Sequence, residues 1–386
     1  MKRVFLLPLT KYNTNPMTKD TAPVFLERVT SIDLFRGFTM FLLIGESTHL
    51  YGYFGSFEGS IIMQFLNTQF HHHEWHGLNF WDLIQPFFMF IVGVAIPFAV
   101  ANRVRKGDSS KQILHHALKR SLLLFSLGWG LYCIGAGEIV FRFQDVLAQL
   151  SVTYLVAFLI RRKSFSFQLV FTLIILLLSD LAYRFFPVVG FNQPWEAYHN
   201  LGAWMNIKIE GVEKTSVWAS INAIPTIAHT VWGVLFGQLL MSDRPAKKKI
   251  QLMLIAGCAA LLIGFSLDWM NITPIIKKIA TSSFVFASGG WAILALCFFY
   301  WVIDVKKLLV DSSKFFIIVG MNCIAIYLFF EIGGAFLVKD VFTPFTKLMF
   351  SWNGSLTVDI TNSICMWFTM WYFCYWLYKN RIFIKI

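Results

Sequence analysis

The chain has 386 residues, 57% of them apolar, 17% aromatic and only 14% charged, with a mean hydropathy of +0.61. A water-soluble fold of this length has no core able to hide so much hydrocarbon, so composition excludes a soluble enzyme and points to an integral membrane protein. The net charge of +12 would suit a nucleic-acid partner, but the charges follow the membrane segments instead, and no nucleic-acid role is expected.

Apolar runs near the roughly 20 residues that a hydrocarbon layer requires recur at 34–54, 80–102, 118–138, 144–161, 166–186, 216–240, 250–269, 283–303, 315–337 and 356–377. The pattern predicts an all-α polytopic bundle of about ten transmembrane helices. Of the 33 Lys and Arg residues, all but Arg142, Arg184, Lys208, Lys214, Lys277, Lys278, Lys339 and Lys347 fall on one side of such a bundle. Positive charge marks the cytoplasmic side, so both termini are predicted inside and the 55–79 loop outside. Residues 28–386 form one domain behind a cytoplasmic tail, 1–27, whose apolar run is too short for a signal sequence. The six cysteines lie inside predicted spans without metal or redox spacing.

In chain order, Ser31 or Asp33 is expected to cap the first span, with Arg36 one turn in. The pair Asp33 and Arg36 reads either as a cap with a snorkelling arginine or as a fork offered to a phosphate-bearing ligand. Glu46, His49 and Tyr53 recur at i, i+3 and i+7, one face of a continued helix. An ionisable group such as Glu46 within a span is a functional candidate. The loop 55–79 holds no Lys or Arg and delivers His71, His72, His73, Glu74 and His76 to the mouth of span two, which opens with Asp82 and Pro86. The histidines read as metal ligands, as a general base, or as satisfied surface groups. Adjacent histidines point in different directions, which argues against metal. Asp82 suits the helix N-terminus and could equally orient a histidine.

The basic segment 103–120, ending in Arg120, is either topological charge or an electrostatic doorway for a polyanion such as coenzyme A. Asp180 and Arg184 are spaced for a local ion pair, and the segment 187–215 has the Pro, Trp, Asn and Tyr content of a small lid. Pro225 predicts a kinked sixth span carrying a buried His229. Lys277 and Lys278 lie on the side that should lack lysine, and Asn322 and Glu331 place an amide and a carboxylate in the ninth span.

Several blocks together resemble heparan-alpha-glucosaminide N-acetyltransferase and its bacterial relatives: residues 28–37 (RVTSIDLFRG), 72–78 (HHEWHGL), 82–93 (DLIQPFFMFIVG), 274–277 (PIIK), 320–331 and 378–386. They occur in order from about residue 28 to the end. The resemblance implies a multi-pass enzyme of a bacterial cytoplasmic membrane that carries acetyl from cytoplasmic acetyl-CoA, its co-substrate, to the amine of a glucosamine-type sugar outside. It implies that the catalytic histidine, three residues before the tryptophan of W-x-G-L, is His72. It also places Asp33 and Arg36 in the cytoplasmic doorway motif, and Lys277, Asn322 and Glu331 at matching positions. Glu46 joins them as a substrate-side candidate from its depth in the first span. No metal is expected, and a homodimer is left open. A general-base histidine must be neutral, so activity is expected to fall below about pH 6.5. The alternative is a proton-coupled sugar or glycolipid carrier, supported by Glu46, His49 and a span broken at Pro225.

Overall fold

A computed structural model of the chain describes residues 29–211 and 216–384; the expected tail, 1–27, lies outside them. Among the described residues there are helices and no strands. The helices are α1 (Thr30–Ser47), α2 (Ile61–Gln69), α3 (Ile84–Arg105), α4 (Ser110–Ala136), α5 (Val146–Ile160), α6 (Phe165–Arg184) and α7 (Leu201–Glu210), followed by α8 (Ala223–Met241), α9 (Ala246–Trp269), α10 (Ser282–Phe299), α11 (Val310–Met321), α12 (Cys323–Phe329), α13 (Ala335–Phe350) and α14 (Ser355–Lys379).

Each apolar stretch of the sequence is largely helical, but length and composition qualify fewer than ten as membrane crossings. Five helices pass: Phe80–Arg105, Phe165–Arg184, Ser220–Met241, Ala246–Trp269 and Ser282–Val305. A sixth is added if the pair Val310–Met321 and Cys323–Asn353, bent by 61°, counts as one span. The chain is thus a multi-pass membrane protein. The others fall short for visible reasons: α1 carries Asp33, Arg36 and Glu46, and α5 has only 15 residues.

The centre of the bundle is the crossing of α3 with α8. A Cβ on Gly93 would lie 2.0 Å from the Thr230 carbonyl oxygen, and one on Gly233 would lie 2.1 Å from that of Phe90. No side chain fits there, so the two backbones touch. Around this seam Phe35, Phe87, Phe90, Val94 and Phe284 form one buried cluster, and Met40, Met89, Val319, Ile326 and Met366 bind α1 and α3 to α11, α12 and α14 in a second.

Several local expectations are corrected. Neither Ser31 nor Asp33 caps α1. The cap comes from far along the chain, where the Asp304 carboxylate accepts from Thr30 N–H at 2.8 Å and Ser31 N–H at 3.1 Å. The helix ends at Ser47, and His49 adopts φ +62° before a 3₁₀ turn, so Glu46, His49 and Tyr53 do not share a helical face. Pro225 sits in the first turn of α8, where its missing N–H costs nothing, and no kink follows. The break falls instead in the ninth span, at Asn322 and again at 330–334, where Gly333 has φ +98°. Asp180 and Arg184 do not pair with each other. Asp180 accepts from Thr273 Oγ1 and Ser282 N–H, while Arg184 donates to the Ile272 carbonyl.

Candidate active site

The loop after α2 is fastened to the mouth of α3 by bonds that the loop itself supplies. Asn79 N–H donates to Asp82 Oδ2 at 2.9 Å, the Asn79 amide donates to the His71 carbonyl at 3.0 Å, and Phe80 N–H donates to Gln69 Oε1 at 3.0 Å. The turn between α9 and α10 holds it from the other side. Gly77 N–H donates to the Ile275 carbonyl at 2.9 Å, Lys278 donates to the Glu74 carbonyl, and His76 Nε2 meets Asp268 Oδ1 at 2.7 Å. Two segments some 200 residues apart in sequence are therefore stitched into one surface.

Within it the three consecutive histidines part company. His71 Nδ1 lies 2.7 Å from the Asn67 carbonyl at the end of its own helix. His73 gives its backbone N–H to Asp82 Oδ2 at 3.2 Å, while its Nδ1 is buried without a partner. Only His72 sets its ring against charged groups: Nδ1 is 2.9 Å from Asp82 Oδ1 and 3.1 Å from Lys277 Nζ. Lys277 Nζ is itself 3.6 Å from Asp82 Oδ1. Asp82 is 1% exposed and Lys277 6%, whereas the His72 side chain is 37% exposed.

The chemistry follows from that gradient. A buried carboxylate that accepts two backbone N–H bonds keeps its charge and its orientation. Facing Nδ1 at the shorter distance, it favours the tautomer with the proton on Nδ1 over the one in which Nδ1 accepts from Lys277, and that tautomer leaves a lone pair on Nε2. Among the described residues Nε2 has no hydrogen-bond partner. Burial pushes the Lys277 ammonium down to about 8, against the opposing pull of Asp82 and then Glu46, which favour its charged form.

Trp218 closes one side of the site. Its ring lies edge-on to His72, with centroids 5.6 Å apart, and Lys277 Nζ is 5.3 Å from its centre. Asn206 of α7 fixes this tryptophan by donating to the Trp218 carbonyl at 2.8 Å and accepting from Ser220 N–H at 2.9 Å. The segment that the sequence marks as a lid is in effect a clamp. Neither Trp218 nor Asn206 stands out in the sequence, because their role arises from contacts with residues far along the chain.

The other candidates fall into separate places. Glu46 Oε1 accepts from Trp81 Nε1 at 2.7 Å, next to Asp82 in sequence. Glu331 is within electrostatic reach of Glu46 and Asp145, and Asp145 accepts from Tyr327 at 2.9 Å. Asn322 is elsewhere. Its amide donates to the Ile382 carbonyl at 3.0 Å and accepts from Ile384 N–H at 2.9 Å, binding the C-terminal tail into the α11–α12 break. Arg36 is nearby, donating from Nε to the Gly320 carbonyl at 2.9 Å and from Nη2 to Asp33 Oδ1 at 2.8 Å. Arg120 lines a cavity of about 420 Å³ between α3, α4 and α5, together with Arg103, His116, Lys119 and Tyr154. Its guanidinium stacks 4.7 Å from the Tyr154 ring centre, and its Nε is buried without a partner. Asp82 and Arg103 stand 21 positions apart along one helical segment, roughly 30 Å at 1.5 Å per residue. Among the described residues no group of three or more His, Cys, Asp or Glu side chains could hold a metal ion.

No family model matches the chain. Two curated proteins do. Heparan-alpha-glucosaminide N-acetyltransferase of Homo sapiens is 24% identical over 97% of this chain and 63% of its own length, and that of Mus musculus is 25% identical over 93% of this chain and 60% of its own length. The chain therefore spans a little over half the length of the relatives it matches. Over nearly its whole length it is similar to the heparan-alpha-glucosaminide N-acetyltransferases of those two organisms.

Proposed function

We propose that this protein is a membrane acetyltransferase that accepts acetyl-CoA from the cytoplasm and passes the acetyl group to the amine of a glucosamine-type sugar on the outer face of a bacterial cytoplasmic membrane. In this reading all ten apolar stretches lie within the membrane and both termini are cytoplasmic. The observation that carries it is the Asp82–His72 pair, at one end of the segment whose other end carries Arg103 and the Arg120 cavity. The named activity of the relatives supports the same chemistry.

The steps then use groups already in place. Arg103, Lys119 and Arg120 offer the positive potential that the phosphates of acetyl-CoA need, and the thin pantetheine arm reaches inward between helices. The acceptor nitrogen attacks the thioester carbonyl while His72 Nε2 takes its proton; the C–N bond forms, the C–S bond breaks, and the proton passes from Nε2 to the departing thiolate. Asp82 holds the ring through Nδ1 and stabilises the imidazolium formed in transit. Lys277 supplies positive charge beside a carbonyl oxygen that turns negative. Glu46 and Glu331 are the acceptor-side carboxylates in this scheme, and Asp33 and Arg36 border the donor's route. Asn322, tied to the tail, would act on the substrate only through the position of the α11–α12 break.

Mass spectrometry of products after incubating the membrane-embedded protein with acetyl-CoA and a panel of amino sugars tests the proposal. We expect an acetylated amino sugar together with free CoA thiol. Thiol without an acetylated sugar would overturn the acceptor, and neither product would overturn the reaction.

A further inference from the structure

A second cavity, of about 590 Å³, opens between α6, α8, α9 and α10, and the mechanism above does not use it. Its origin is geometric. Although α8 and α9 are consecutive and joined by a four-residue turn, each is drawn to a different neighbour. The α3–α8 seam holds one, and the other packs so closely on α10 that a Cβ on Gly264 would lie 2.6 Å from Ala287 N. The two helices diverge, and Ala256, Ala259 and Ala260 on α9 are too small to fill the wedge between them. The walls are hydrocarbon, including Leu169, Leu235 and Leu252.

One end is different. Arg244 of the α8–α9 turn lines the cavity, and Lys247 and Lys248 are exposed beside it. The α5–α6 turn, with Arg161, Arg162 and Lys163, is tied to the same end, since Gln238 of α8 donates to the Arg161 carbonyl at 2.7 Å. Asp243 is the acid in these two turns. An apolar slot lined on α9 from Leu252 to Ile263, roughly 16 Å of helix at 1.5 Å per residue, and headed by a cluster of cations, matches a molecule with an acyl tail and an anionic head. We propose that this groove binds a glycerophospholipid with a net negative headgroup, its chain along Ala256–Ala260 and its phosphate at Arg244. The proposal rests on the membrane setting and is independent of the acetyl-transfer reading.

Native mass spectrometry of the full-length protein, stripped of lipid in mild detergent and offered phosphatidylglycerol or phosphatidylcholine of the same chain length, tests it. The wild type should retain one phosphatidylglycerol with roughly tenfold preference over phosphatidylcholine, since each cation near an anionic head favours binding by about fivefold. Ala256→Trp, which fills the slot, should abolish retention of both lipids. The triple variant Arg244→Gln, Lys247→Gln and Lys248→Gln should keep a lipid but lose the preference, and it decides the matter if Ala256→Trp does not fold. Equal retention of the two lipids by the wild type, preference unchanged in the triple variant, or a second protein chain released by Ala256→Trp would each overturn the proposal.

Discussion

The two ends of the segment that begins at Asp82 solve opposite problems. At the first, directional bonds converge on a single ring: Asp82 accepts from the backbones of His73 and Asn79, faces Nδ1 of His72 and is flanked by Lys277. At the second, Lys119 and Arg120 border open volume, Arg103 is paired with Asp108 at 2.9 Å, and Arg120 Nε is buried with nothing to bond. The difference teaches what each end is built for. A reacting atom must be placed within a fraction of an ångström, so its supports are satisfied in advance. A flexible polyanion, in the proposed reading, needs potential more than placement, so Arg120 can keep a donor unspent.

The sharpest way to break that contrast is at the ring. His72→Ala should lower acetyl transfer by about 10²–10⁴-fold, while His71→Ala, whose imidazole bonds only its own helix end, should stay within a few-fold of wild type; coupled thiol release measures both. Equal loss in the two variants would remove the special status of Nδ1 against Asp82. A smaller effect comes from pH. Lys277 is cationic below about 8 and neutral above it, so the positive charge at the reaction centre disappears as pH rises through that value. The rate should therefore decline above about pH 8 by roughly tenfold, and Lys277→Gln, slower at neutral pH, should show no such decline. At the basic end the effect should be smallest and should appear in KM. Arg120→Gln should raise KM for acetyl-CoA several-fold with little change in kcat, whereas Arg36→Gln, which removes a guanidinium already bonded to Gly320 and Asp33, should lower thermal stability more than it changes KM.

Much of the candidate site's geometry was legible because its parts are local. His72 and Asp82 stand ten positions apart, and the intervening loop carries the asparagine, glycine and aromatic residues that fold it back on itself. Lys277 stood out as a lysine on the side to which the charge pattern assigns few lysines. What could not be read is what arrives from a distance. The cap on α1 comes from Asp304, 274 positions away, and nothing near Thr30 signals it. Trp218 is one of 14 tryptophans until Asn206 sets it beside His72. The Asn322 amide was a substrate-side candidate because it stands inside a span at a position matching the resembled family. The structure satisfies that amide with the C-terminal backbone.

The backbone contact of α3 with α8 at Gly93 and Gly233 has a mechanical outcome. Helices that touch without side chains between them cannot slide or roll independently, so this pair behaves as a single shaft with the His72 ring held at its tip. The same kind of seam fastens α1 to α11, where a Cβ on Gly37 would lie 1.9 Å from the Phe316 carbonyl oxygen, so the breaks at Asn322 and Gly333 leave any give to the segments that follow α11.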